Sequence, residues 1–262
     1  MSSEQTSQRA FLGICALLFA VSSFVTIHWC NSMAAMGGMA MPGGWTMSMA
    51  WMRMPGQTWR AAAGSFLGMW VVMMTAMMLP ALVPMLLRYR EAVCDSCAAR
   101  LGWLTAIVSA SYFFVWALVG MAAFVLGVGL AEIEMRQPLL ARAVPITMGA
   151  VVLIGGLLQF TAWKARQLAC CRDAPQLGCR LPADMGTAWK YGLRLGLRCS
   201  YCCAGLTAIL LAVGVMELRA MALVTAAITI ERLAPAGERL ARVAGTVLVV
   251  TGLFLIARSA GH

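Results

Sequence analysis

Sulfur is what equips this chain for chemistry. Cys199 and Cys203 stand four residues apart and Cys199 and Cys202 three apart, so on a helix starting near residue 198 the three thiols share one face. Cys94 and Cys97 have the C-x-x-C spacing with which two thiolates chelate one ion, and Cys170 and Cys171 are adjacent. Thiolates so grouped suit Cu(I), with Zn(II) as the second choice. A C-x-x-C pair serves equally well as a redox-active dithiol or as two free surface thiols.

Methionine is the other sulfur source. Met33, Met36, Met39, Met41, Met47, Met49, Met52 and Met54 crowd a segment that also holds Gly37, Gly38, Pro42, Gly43, Gly44, Pro55 and Gly56. A Gly/Pro-rich loop has little core to fill, and thioethers are soft ligands that select Cu(I) without having to lose a proton. Met47 and Met49 are the expected ligands there, although Met also works as adaptable filler in a loop dipping into lipid. Downstream, GSFLGMWVVMMTAMMLPALVPMLL carries Met73 and Met77 on one drifting helical stripe, with Met74 and Met78 beside it. Packing alone is an equally good reason for that stripe.

Other chemistries lack their residues. The only histidines are His28 and His262, too few for a bis-His haem or a His₃ zinc site. No P-loop, Rossmann, G-x-S-x-G or HExxH signature occurs, so enzymatic activity is not expected. No acid or base falls in the middle of an apolar run, which disfavours a proton-driven carrier. Glu231-Arg232 reads as a solvated or headgroup-level pair.

The elements that position the sulfur are membrane helices. Of 262 residues, 61% are hydrophobic and 11% charged, and the mean hydropathy is +0.82. Soluble domains carry roughly 25% charged residues, so the lipid bilayer is the expected environment. The net charge of +10 sits in loops beside apolar spans, which points to orientation and headgroups; nucleic acid is not an expected partner.

The fold class is therefore an all-α membrane protein, a polytopic bundle of about seven transmembrane helices. They are expected over residues 10–28, 64–87, 103–130, 143–163, 199–216, 219–230 and 243–257. The sixth is short, and if it fails to cross, six remain. No small-x-small cleavage site follows the first apolar run, so it is expected to be retained as a span. The chain forms one integral membrane domain, 1–262, with a Met/Gly-rich outer loop at 29–63 and a basic, Cys-containing cytoplasmic loop at 164–198. Within that loop, 187–197 has the pattern of a basic amphipathic helix.

Most of the 20 lysines and arginines fall on the side of the N-terminus, which the positive-inside rule makes cytoplasmic. Thioethers then face outward and most thiols inward, where a reducing cytosol disfavours disulfides.

The segments MPGGWTMSMAWMRMPGQTW, FLGMWVVMMTAMMLPALVPML, QFTAWKARQLACCRDAP and GLRLGLRCSYCCAGLTAILLAVGVMELRAMA, followed by ITIERL, resemble in order those of the bacterial DUF2182 family. That family is described as predicted metal-binding integral membrane proteins. The resemblance implies a bacterial inner (plasma) membrane location, with thiols at Cys170, Cys171, Cys199, Cys202 and Cys203 and a Met-rich helix at Met73, Met74, Met77 and Met78. Here Ala204 follows Cys203 where the family often has Trp, and Arg232 stands where it often has Lys.

The expected function is metal handling, with Cu(I) passed between outer Met and inner Cys ligands in transport, delivery or homeostasis. A metallochaperone or copper-enzyme partner would fit, as would a homo- or hetero-oligomer. Two other readings stand beside it. One is a structural or assembly subunit of a larger membrane complex, suggested by the small-residue face Gly192-x-x-x-Gly196. The other is a membrane thiol oxidoreductase using Cys94 and Cys97.

Overall fold

The computed structural model of the protein describes residues 3–42, 44–48, 51–53, 56–93, 98–172, 181–234 and 237–260. Cys94, Cys97, Cys179, Met49 and Met54 lie outside these residues, as do the side chains of Cys170, Cys171 and Met36.

The described residues form eight helices and one hairpin. In order they are α1 (Ser3–Met36), β1 (Met39–Met41), β2 (Trp45–Met47), α2 (Trp59–Ala92), α3 (Ala98–Arg136), α4 (Pro138–Leu158), α5 (Ala162–Arg172), α6 (Met185–Val213), α7 (Leu218–Leu233) and α8 (Gly237–Ala260). Six of them, all but α5 and α7, are long and apolar enough to cross a membrane. The expected all-α, multi-pass membrane bundle is what the chain forms.

Caps set several boundaries. The Thr58 hydroxyl accepts from the Ala61 N–H at the start of α2, and Asp184 accepts from the Thr187 N–H, 2.8 Å, at the start of α6. That bond holds the exposed Asp184 carboxyl below the usual carboxylate range. Glu217 caps α7 by accepting from the Ala220 N–H. Pro138 opens α4, where its missing donor costs nothing.

Several boundaries differ from those expected. The first span does not stop at His28 but continues to Met36, and the remaining outer loop holds a two-stranded antiparallel hairpin pairing Met39 with Met47 and Met41 with Trp45. Gly44, at φ 76°, makes its turn. Within 164–198, α5 occupies the start, and the amphipathic piece is continuous with the fifth span in α6.

Contacts give each helix its direction. At one end, Arg90 near the close of α2 donates to Ser7 at the start of α1, and the Leu181 N–H donates to the Ala92 carbonyl. At the other, Trp45 of the hairpin donates through Nε1 to the Ala141 carbonyl at the start of α4, 2.8 Å. The short α7 has its N-terminal side at the hairpin end, where Met221 meets Cys30 of α1, and its last turn at the α5 end, where Glu231 meets Lys164. It therefore runs the length of the bundle.

The return along α8 is antiparallel to α4. Gly245 lies against Gln159, Gly252 against Leu153 and Gly149 against Ile256, with no room for a Cβ at any of the three glycines. Seven helices thus traverse the bundle and α5 stays at one end. At 1.5 Å per residue, the 16 residues of α7 reach about 24 Å, short of a hydrocarbon core of about 30 Å.

Candidate metal centre

The helices α2, α3 and α6 meet around the thiols. Gly192 and Gly196 of α6 lie against α3 at Val108, Ser111, Tyr112 and Val115, so the two backbones approach closely. The small-residue face expected to serve a partner is used inside the chain. Cys199 and Cys203 continue the same stripe one and two turns further on, and all three thiols of this group are buried, Cys199 at 0% exposure.

Around Cys199 the contacts are specific. Its Sγ lies 2.9 Å from the Tyr112 hydroxyl and 3.9 Å from the Met78 sulfur of α2. Cys202 and Cys203 are buried on the same stretch of α6. The sulfurs of α6 and α2, placed on separate elements by the sequence reading, are here in direct contact. Met73, Met74 and Met77 are buried with Met78 in the same core cluster. Above them Trp70 donates its Nε1–H to the Trp116 carbonyl, 2.9 Å, which pins α2 to α3.

Buried charge lies where the last turn of α7 meets α5, in place of the expected solvated pair. Glu231 is 2% exposed and forms an ion pair with Lys164, 2.8 Å. Its other oxygen accepts from the Gln159 amide, 3.0 Å. Lys164 also donates to the Cys202 carbonyl, 2.8 Å. Arg232 is buried as well, close enough to act electrostatically on Cys199 and Cys203. The Glu231-Arg232 pair is thus buried and not solvated. The short α7 draws its last turn under α5, and Lys164 supplies the counter-charge there.

Tyr112, Lys164, Gln159, Glu231 and Arg232 were not among the expected site residues. The one available signal was an acid and a base ending a span too short to need them.

The other expected ligands fall as follows. Cys170 and Cys171 lie in the last turn of α5, at the same end as Lys164. Met47, the last residue of β2, is buried at 2% exposure.

Among the described residues no three His, Cys, Asp or Glu come together as a metal site. A metal with three ligands here would draw on thioether as well as thiolate. Metal–sulfur bonds of about 2.3 Å place two sulfurs on one ion about 3.8–4.6 Å apart, and the Cys199–Met78 distance lies in that range.

A family model, PpoB2, described as a copper chaperone, matches residues 67–255, from α2 into α8. No curated protein and no solved structure matches the chain.

Proposed function

The chain belongs to the PpoB2 copper chaperone family, and from that premise we propose that it carries Cu(I) between the Cys199 and Cys203 thiolates and the Met78 thioether. The observation that carries this reading is the 3.9 Å approach of the Cys199 and Met78 sulfurs inside a buried cluster. Copper here is cargo, taken up and given on to a metallochaperone or a copper enzyme.

The donor set selects the ion. Zn(II) favours four ligands in a closed tetrahedron, and one thioether with two thiolates does not provide them; Cu(I) prefers soft sulfur. Two thiolates on one Cu(I) leave a net charge of −1. A buried charge needs a partner, and the buried Arg232, whose charge acts on both cysteines, supplies it. The Tyr112 hydroxyl donates to the Cys199 sulfur once that sulfur is a thiolate.

Along α2, Met77, Met74 and Met73 continue the buried sulfur from Met78 toward the hairpin end, rising about 7.5 Å over five residues. This is the segment along which an ion would pass between thioether and thiolate. We further place the protein in a bacterial inner membrane with its N-terminus cytoplasmic. The excess of basic residues at the α5 end and the DUF2182 resemblance support that placement.

Anaerobic titration of the purified full-length protein with Cu(I) against a competing chelator tests the ligand set. At this site the Cys199→Ser/Cys203→Ser double variant is expected to bind at least about 100-fold more weakly, read as the loss of one Cu(I) equivalent, since even outer-shell losses cost 10–100-fold. Unchanged stoichiometry and affinity in a folded double variant reject the reading. Unchanged copper together with loss of a co-purifying partner would favour the assembly-subunit reading.

A further inference from the structure

A second group of sulfurs lies at the hairpin end, away from the Cys199 cluster. The Cys30 sulfur of α1 is 3.8 Å from the Met216 sulfur and 3.9 Å from the Met221 sulfur. These residues are 186 and 191 positions from Cys30 along the chain, so tertiary structure alone assembles them. Cys30 is 2% exposed and Met221 buried, while Met216 is half-buried. Met216 sits in the short connection between Gly214, which ends α6 at φ 135°, and Glu217, which caps α7. One ligand is thus on an accessible turn and two are anchored on helices.

We propose that Cys30, Met216 and Met221 form a second soft-metal site that takes one Cu(I) at the hairpin end of the bundle. The cargo rests on the copper-chaperone reading above; the ligands are independent of it. Both sulfur separations lie within the span of about 3.8–4.6 Å that two metal–sulfur bonds of about 2.3 Å allow. What converges on the thiol is the two thioether sulfurs, which is the orientation a shared ion requires.

Ligand softness selects the ion. Cys30 loses its thiol proton to water as the ion arrives, and one thiolate with one Cu(I) is neutral, while the two thioethers add no charge. One thiolate and two thioethers are an all-soft donor set, which suits Cu(I) over harder divalent ions. No electron is transferred. The site therefore differs from the Cys199 cluster, whose two thiolates need Arg232. It stands at the opposite end of the stretch marked by Met73, Met74 and Met77, where an ion would enter or leave.

The test is Cu(I) stoichiometry of the purified full-length protein under anaerobic chelator competition, with X-ray absorption on the bound metal. Wild type is expected to retain two equivalents, and Cys30→Ser one. In the Cys199→Ser/Cys203→Ser background the remaining Cu(I) is expected to show sulfur-only, three-coordinate scattering. Met221→Leu, which keeps apolar volume, is expected to weaken that site at least tenfold with the elution profile unchanged.

Two equivalents retained in Cys30→Ser, or wild-type affinity in Met221→Leu, overturns the second site and leaves the Cys199 reading standing. Copper lost from Cys30→Ser but unaffected in the Cys199/Cys203 double variant rejects the Cys199 ligands and keeps this site. No copper retained by wild type rejects both.

Discussion

Lys164 and Glu231 show at single-residue scale how far burial changes what a charge means. On a surface such a pair is worth about 0–1 kcal/mol. Here both partners are buried, and Gln159 and the Cys202 carbonyl complete their hydrogen bonds. Removing one partner leaves an uncompensated charge in a low-dielectric interior. Lys164→Met or Glu231→Leu alone is expected to destabilise the protein by about 3–5 kcal/mol, and the double variant by much less. Thermal unfolding of the four proteins in detergent measures this. Additive losses in the double variant would mean that the pair is not coupled as the 2.8 Å contact requires.

At the scale of elements, the seam between α3 and α6 governs the thiols. Gly192 lies against the Val108 carbonyl and Ser111 with no room for a Cβ, and Cys199 is seven residues further along the same helix face. Gly192→Val must push α6 off α3 and carry Cys199 away from Tyr112. It is expected to cost at least the 1–3 kcal/mol typical of overpacking and to reduce Cu(I) retention in parallel. Gly13→Ala is the control. Gly13 is in α1 with open space around its Cβ position, so alanine there is expected to be neutral or to stabilise by up to about 1 kcal/mol, with copper unaffected. A well-folded Gly192→Val protein with full copper affinity would disconnect the seam from the site.

For the whole molecule, the decisive element is α7. It joins the Cys30 cluster at one end to the Lys164 network at the other, so the chain traverses the bundle an odd number of times. The termini are expected on opposite sides of the membrane. Reporter fusions at the two ends, one active only in the cytoplasm and one only outside it, should therefore give opposite signals. Matching signals would mean that α7 turns back within the bilayer.

The membrane class, the approximate spans and the sulfur-rich elements were legible in the residues themselves. Apolar run length, the helical spacing of Cys199, Cys202 and Cys203, and the stripe from Met73 to Met78 are local properties, and local periodicity reports helix faces directly. Which faces meet is not local. The Met78 contact with Cys199, the Tyr112 hydroxyl on the same sulfur and the burial of Glu231 against Lys164 join residues 67 to 121 positions apart. The trio of Cys30, Met216 and Met221 spans 191 positions. Only the packed bundle decides such neighbours, because side chains far apart in sequence meet where close-packed glycine seams and a short seventh helix bring their backbones together.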